Sequence, residues 1–176
     1  LYVTSDKFIS DFIGINRKNN NNYDNIDYFC GLYIKDKEIR KKYIEDAIKL
    51  VGLEEFKKFY PKQLSGGLLR RLNIACGIAH KPKIIFLDEP TVGVDVQSKN
   101  AIIDYLKVLN QNGTTIIYTS HHLAEAEDFC TNIAILDRGR IFAQGTPSSL
   151  IDSTEEARNL EEVFISLTGK DFRDGQ

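Results

Sequence analysis

The sequence contains no methionine and only three cysteines among its 176 residues. Methionine is missing even at position 1, and the chain opens on the letters LYVT as if within a strand, so we expect an N-terminally truncated piece of a longer protein. Cys30, Cys76 and Cys130 are far apart and odd in number, which fits neither a disulfide framework nor a metal-binding spacing. Such cysteine usage predicts a protein of a reducing cytoplasm.

Long apolar runs and an excess of one charge are also missing. No stretch approaches the roughly 18 apolar residues that a membrane-spanning helix needs, and the first residues do not have the pattern of a signal peptide. The formal net charge is -2, so no global basic field favours nucleic acid as a partner. With 42% hydrophobic and 27% charged residues, the composition is that of a globular domain with a core.

Helix and strand patterns alternate through the middle of the chain. Apolar residues at helical spacing predict five helices, at 39–51, 68–79, 97–109, 123–129 and 155–167. Apolar and β-branched runs predict buried strands at 84–87 and 114–119 and a hairpin at 133–136 and 140–143. This alternation predicts an α/β domain with a mainly parallel sheet flanked by helices. The asparagine-rich stretch 17–25 is instead expected to form an exposed loop or insertion.

Two adjacent carboxylates, Asp88 and Glu89, follow the first predicted strand, and His121 follows the second. In parallel α/β sheets, ligands lie beyond the carboxyl ends of the strands, so we expect these three side chains to meet at one rim. Asp88 is then a candidate ligand for Mg²⁺, which prefers hard oxygen donors. Glu89 is a candidate base that polarises a water molecule for attack on phosphorus.

Each of these residues also has a plainer interpretation. Two acids after an apolar run are common surface residues, and an isolated His121 is more safely taken as a core or surface histidine. Asp95 has the type and place of a cap for the helix that begins near residue 97. None of the three observations decides the function alone.

Ser65, Gly66 and Gly67 stand at the start of a predicted helix. Serine at this place is a good N-cap, which is the plainer interpretation. Two successive glycines exceed what capping requires, because they lower helix propensity and let the backbone come close to a ligand. The free N–H groups of a helix start favour an anion such as phosphate.

The order and spacing of four short motifs point to one family. LSGGLLRRL, IIFLDEP, TVGVD and TSHH follow one another at 64–72, 84–90, 91–95 and 119–122. They resemble the signature motif, the Walker B strand, the D-loop and the switch histidine of the nucleotide-binding domain of ABC transporters. AILDRGRIFAQGTPSSL and LEEVFISLTG are similar to the C-terminal run of bacterial export ATPases, so the resemblance extends from about Tyr28 to the end.

The resemblance implies a P-loop NTPase-like fold in which two such domains pack head to tail around two ATP molecules. It assigns Asp88 to Mg²⁺, Glu89 to the role of general base and His121 to the γ-phosphate. It also assigns four residues to the interface between the two domains. Ser65, Gly66 and Gly67 bind the γ-phosphate of ATP held by the partner, and Asp95 links the two sites.

Two departures from the family pattern stand out. The phosphate-binding loop G-x-x-x-x-G-K-[ST] is absent, and truncation explains this absence better than degeneration, so we expect this piece alone neither to bind ATP tightly nor to hydrolyse it. The family's glutamine in the loop that enters the helical subdomain has Ser5 near its position. The metal contact of that loop is therefore in doubt.

The resemblance also implies a division of the chain and a set of partners. We expect a helical subdomain at about 15–80, a catalytic sheet core at 81–147 and a C-terminal helical segment at 148–176. The expected partners are a second nucleotide-binding domain and a transmembrane permease, at the cytoplasmic face of the membrane, for the export of a drug, peptide or polysaccharide. The alternatives are a soluble ABC-class ATPase that acts on ribosomes or DNA, and a regulatory domain that does not hydrolyse ATP.

Overall fold

The computed structural model describes residues 19–137 and 139–169, which form two compact units. The first unit runs to Thr119 and the second begins at Ser120. This boundary falls inside the predicted sheet core at 81–147, and the three-part division of the chain stays a prediction. The predicted strand at 1–3 and the candidate residue Ser5 lie outside the described residues.

Three helices that pack on one another open the first unit. They are α1 (Asn22–Tyr33), α2 (Lys37–Leu50) and α3 (Gly66–Ile78), with 3₁₀ turns at Glu54–Phe56 and Pro61–Gln63 between α2 and α3. Their apolar faces meet at Ile26, Ile44 and Leu72, which are fully buried. Each such side chain contributes about 1.5–3 kcal/mol relative to an exposed position.

Side chains at the helix starts explain where α2 and α3 begin. The carboxylate of Asp36 accepts hydrogen bonds from the backbone N–H groups of Glu38 and Ile39, at 2.9 and 3.0 Å. The hydroxyl of Ser65 accepts one from the N–H of Leu68, at 3.3 Å. These bonds satisfy donors that have no partner within the helix.

The asparagine-rich stretch is not the exposed loop that its composition predicts. Helix α1 begins inside it, with Asn21 as its N-cap, and Asn22 and Asn25 are buried. The side-chain amide of Asn22 donates to the carbonyl of Phe56 at 2.7 Å, and that of Asn25 donates to the carbonyl of Asn21 at 3.0 Å. One tertiary and one local hydrogen bond thus satisfy these buried amides within a helix, and this part of the prediction is wrong.

A parallel pair of strands completes the first unit. Strands β1 (Ile84–Asp88) and β2 (Thr115–Thr119) pair in register from Ile84 opposite Thr115 to Asp88 opposite Thr119. Helix α4 (Val96–Gln111) connects them and packs against β2 and α3. The α/β class is confirmed.

The expectation that both strands are buried is wrong for the described residues. Ile85 faces the core, whereas its neighbours Ile84 and Phe86 are 54% and 72% exposed. Side chains alternate between the two faces of a strand, and within the described ranges only the face of β1 that carries Ile85 is covered.

The second unit packs three helices with an antiparallel hairpin. The hairpin joins β3 (Ile133–Asp137) to β4 (Arg140–Gly145), as predicted. The helices are α5 (Leu123–Phe129), α6 (Pro147–Asp152) and α7 (Leu160–Thr168). Their core consists of Ile135, Leu150, Leu160 and Val163.

The last predicted helix, at 155–167, starts too early. Glu156 adopts a left-handed backbone with φ of +62°, which breaks a helix for any residue with a side chain. Helix α7 begins only after Asn159, whose side chain accepts a hydrogen bond from the N–H of Glu162 at 2.9 Å. No helix within the described ranges combines the length and the hydropathy needed to cross a membrane.

The buried asparagine of α1 gives a test of this packing. We expect Asn22→Ala to lower the free energy of unfolding by about 1–3 kcal/mol, because the carbonyl of Phe56 loses its buried partner. Asn19→Ala, at an exposed position of the same stretch, is the control and leaves stability within about 0.5 kcal/mol. Chemical denaturation of the full-length protein measures both, and equal stability of the two variants would contradict the role given to Asn22.

Candidate functional site

The parallel strand pair ends with a carboxylate beside a hydroxyl. Asp88 is the last residue of β1 and lies opposite Thr119, the last residue of β2. The Thr119 hydroxyl donates a hydrogen bond to Oδ1 of Asp88. Because this bond orients the half-buried carboxylate, the strand ends present oxygen atoms in a fixed arrangement.

Glu89 begins a tight turn directly after the strand. Its backbone is left-handed, with φ of +43°, a conformation that costs a residue with a side chain about 1–3 kcal/mol. The N–H of Glu89 donates to the carbonyl of Thr119 at 3.0 Å, and its carbonyl accepts from the N–H of Val92 at 3.2 Å. Asp88 and Glu89 therefore stand together at the carboxyl end of the strand pair, as predicted.

Arg70 on α3 binds the backbone of the same turn. Its Nε donates to the carbonyl of Pro90 at 2.8 Å, and its Nη2 donates to the carbonyl of Glu89 at 2.7 Å. Partial burial lowers the pKa of the Arg70 guanidinium, while the negative charge of Asp88 raises it. Since an arginine keeps its proton at any ordinary pH, the turn after β1 always has a cation against its carbonyls.

The glycines at the start of α3 differ in their surroundings. Ser65 and Gly66 are exposed, and a side chain added at Gly66 meets nothing within 4 Å. Gly67 is buried, and a Cβ atom added there would lie 2.6 Å from Cβ of Ser98 and 3.2 Å from Oδ2 of Asp95. Gly67 thus allows α3 to approach the start of α4 closely, while its predicted contact with a phosphate stays a prediction.

Asp95 caps α4, as its plainer interpretation holds. Its Oδ1 accepts a hydrogen bond from the backbone N–H of Ser98 at 2.9 Å. Hydrogen bonds from Ser98 lower the pKa of the exposed Asp95 carboxyl, so the carboxylate is ionised at neutral pH. Its assignment to an interface between two domains stays a prediction.

The predicted histidine belongs to the second unit. His121 is exposed and lies two residues after the end of β2. Its ring is 4.1 Å from that of His122, centroid to centroid, and the backbone N–H of His122 donates to the hydroxyl of Ser120 at 2.9 Å. That His121 acts together with Asp88 and Glu89 stays a prediction.

The oxygen donors at the strand ends fit one particular mode of magnesium binding. Throughout the described ranges, no three histidine, cysteine, aspartate or glutamate side chains cluster as a metal cage. Mg²⁺ commonly binds through one or two carboxylates and otherwise keeps water molecules and substrate phosphates as ligands. Asp88 with the adjacent Thr119 hydroxyl suits this mode of binding.

Comparison with known families identifies the family of this chain. The family model for the ABC transporter matches residues 4–92, just over half of the chain. The chain therefore belongs to the ABC transporter family and is an ATP-binding domain of the P-loop NTPase class.

Two relatives have informative names. The linearmycin resistance ATP-binding protein LnrL of Bacillus subtilis is 44% identical over 110 residues, which cover 62% of this chain and 35% of LnrL. The Nod factor export ATP-binding protein I of Cupriavidus metallidurans is 42% identical over 121 residues, which cover 69% of this chain and 40% of that protein. The chain spans between a third and two fifths of these relatives.

A solved structure confirms the fold. The ATP-binding subunit of an ABC transporter superposes with a TM-score of 0.75 at 22% identity. The superposition covers 86% of this chain and 63% of that subunit. The predicted P-loop NTPase-like α/β fold is thus confirmed.

Two residues of the site, Arg70 and Thr119, did not follow from the sequence. The helical spacing at 68–79 places Arg70 off the apolar face of its helix, and nothing in the local pattern indicates a bond to residues 19 and 20 positions later. A signal for Thr119 was present, since it ends the strand that pairs with β1. A hydroxyl opposite a carboxylate at the end of a parallel pair is a recognisable pattern once the register is known.

The contact between α3 and α4 gives a second test. We expect Gly67→Ala to lower the free energy of unfolding by about 1–3 kcal/mol, because the added methyl group overpacks against Ser98. Gly66→Ala has open space around it and is the matched control, with a change within about 0.5 kcal/mol. Removing the opposing side chain in Gly67→Ala/Ser98→Gly is expected to restore part of the loss. Thermal unfolding measures all three, and equal effects at the two glycines would refute the packing role.

Proposed function

We propose that the whole protein of which this chain is part hydrolyses ATP to drive a membrane transporter. One observation carries the proposal. The carboxylate of Asp88 ends a strand and is oriented by the hydroxyl of Thr119. A second carboxylate, Glu89, follows in a turn that is held by the carbonyl of Thr119 on one side and by Arg70 on the other. Adjacent acids with different surroundings suit two different roles. Membership of the ABC transporter family supports the nucleotide as ATP.

The roles of the residues follow from their chemistry. Asp88 holds the Mg²⁺ that neutralises phosphate charge when the nucleotide is bound. Glu89 accepts the proton of the attacking water, and His121 donates a hydrogen bond that orients this water and the γ-phosphate. These groups position and stabilise, because phosphoryl transfer needs little covalent chemistry from the protein.

A second nucleotide-binding domain completes each site in this proposal. The exposed start of α3, with Ser65 and Gly66, offers N–H groups to the γ-phosphate of ATP on the partner. Gly67 adds its backbone to the same contact, and Asp95 lies at the interface between the two domains. Ser5, near the position of the family's glutamine, is the proposed contact of the loop that precedes the helical subdomain with the nucleotide.

The proposal extends to direction and place. The names of the linearmycin resistance and Nod factor export relatives support an exporter of a drug, peptide or polysaccharide. The domain then acts with a transmembrane permease at the cytoplasmic face of the membrane. This chain alone, without a phosphate-binding loop of the pattern G-x-x-x-x-G-K-[ST], is inactive.

Substitution of the proposed base tests the hydrolytic role. We expect Glu89→Gln in the full-length protein to lower ATP turnover by about 10²–10⁴-fold, since an amide cannot accept the proton of water. Binding of ATP is expected to be unchanged. Steady-state phosphate release and equilibrium binding of a fluorescent ATP analogue measure the two quantities.

The matched control for this experiment is Glu161→Gln, the same chemical change on the exposed face of α7. It leaves turnover at the level of the unmodified protein. Full turnover in Glu89→Gln would remove Glu89 from the mechanism. Absence of turnover in the unmodified protein, with binding retained, would favour the regulatory alternative.

The neighbouring histidines give an internal comparison. We expect His121→Ala to lower turnover by at least about tenfold, because the water and the γ-phosphate lose a hydrogen-bond donor. His122→Ala, also exposed and in ring contact with His121, retains turnover within about twofold. Phosphate release by the two purified variants decides the matter, and a reversed order of effects would assign the role to His122.

A further inference from the structure

One guanidinium group contacts two successive carbonyls of the turn that contains the proposed base. Arg70 donates to the carbonyls of Glu89 and Pro90 at 2.7 and 2.8 Å. Both acceptors belong to the backbone, so the bonds from Arg70 act on the path of the chain and not on the Glu89 carboxylate. Arg70 is half-buried, which keeps these bonds from full competition with water.

The chemistry of arginine suits this contact. Its planar fork presents several N–H donors in a fixed geometry, whereas lysine offers a single ammonium group on a flexible stem. The two donors bind the carbonyls of Glu89 and Pro90, so they fix the orientation of these two successive peptide groups relative to each other. A lysine at the same place keeps the charge and loses this geometric constraint.

The turn needs such a constraint. Glu89 has a left-handed backbone, and a conformation of this kind persists only where the surrounding structure holds it. The bond from the N–H of Glu89 to the carbonyl of Thr119 holds one side of the residue, and Arg70 holds the other. Release of either side would let the backbone relax and turn the Glu89 side chain away from its present direction.

We propose that Arg70 is a positioning residue for ATP hydrolysis, which keeps the Glu89 turn in the conformation that aims the carboxylate at the attacking water. The inference rests on the proposed function of Glu89. It also connects two parts of the site, because Arg70 lies on α3, whose exposed start is proposed to meet the nucleotide of the partner. A shift of α3 is therefore transmitted directly to the turn of the base.

The experiment compares Arg70→Lys and Arg70→Gln with Arg71→Lys in the full-length protein. Arg71 is the adjacent arginine of the same helix, and its guanidinium lies 5.9 Å from the ring of Tyr105, within the same unit. We expect both Arg70 variants to lower kcat by roughly 10- to 100-fold with the KM for ATP unchanged within about twofold. Arg71→Lys is expected to keep kcat within about threefold.

A second measurement does not depend on catalysis. Hydrogen exchange of the peptide that spans residues 88–95 reports the mobility of the turn. Loss of the Arg70 fork is expected to raise the exchange rate in this peptide by about tenfold, with the thermal midpoint of the Arg70→Lys variant close to that of Arg71→Lys. Combined with Glu89→Gln, Arg70→Lys is expected to cause no further loss of turnover, since Arg70 acts on turnover only through the Glu89 carboxylate.

The outcomes separate the inference from the proposed function. Equal kcat and equal exchange in Arg70→Lys and Arg71→Lys would overturn the positioning role while leaving Glu89 in place. Unfolding of both Arg70 variants beside a folded Arg71→Lys would assign Arg70 to stability and also overturn it. Full turnover in Glu89→Gln would refute the proposed base, and the positioning role would be overturned with it.

Discussion

The candidate site depends on one strained backbone turn. Asp88 is placed by the last rung of a parallel strand pair, and this placement is inexpensive because the ladder continues to that residue. Glu89 is placed by a left-handed backbone that the chain adopts only under constraint. The constraint comes from β2 through the carbonyl of Thr119 and from α3 through Arg70. Strain held by two separate elements in this way is typical of functional sites.

The helices around this turn serve mainly to bring α3 and α4 into position. Their cores are ordinary apolar contacts, and the close approach at Gly67 sets the distance between the two helix starts. Buried polar groups add direction to this packing. The side-chain amide of Asn22, for example, joins α1 to the 3₁₀ turn at Glu54–Phe56. The arrangement of α3, β1 and α4 thus has both apolar and polar origins.

How much of the fold could be predicted depends on how far apart in the sequence the interacting residues lie. Helix α5, the hairpin and the carboxylates at the end of β1 are local features, and their patterns predicted them with small errors at the ends. Burial of Asn22 depends on the carbonyl of Phe56, which the fold brings in from 34 residues away, so composition alone predicted a loop and was wrong. The start of α7 depends on a left-handed Glu156, a residue without the usual preference for that conformation.

The site shows the same division. Asp88, Glu89 and the serine cap of α3 are readable from one-dimensional spacing, because each lies at the end of an element. Arg70 is not readable, since its partners are fixed only when α3 packs beside β1. Two arginines in succession have identical chemistry, and the sequence does not state which of them faces the turn.

The close packing of Gly67 against Ser98 has a consequence for sequence variation. Position 98 lies outside the four motifs, yet its side chain occupies the space that a Cβ atom at position 67 of α3 would need. A side chain at position 67 therefore requires a smaller residue at position 98, whereas glycine at position 67 accepts the serine that is present. A close helix contact of this kind predicts correlated substitution at positions 67 and 98, and it does not require that either position is invariant.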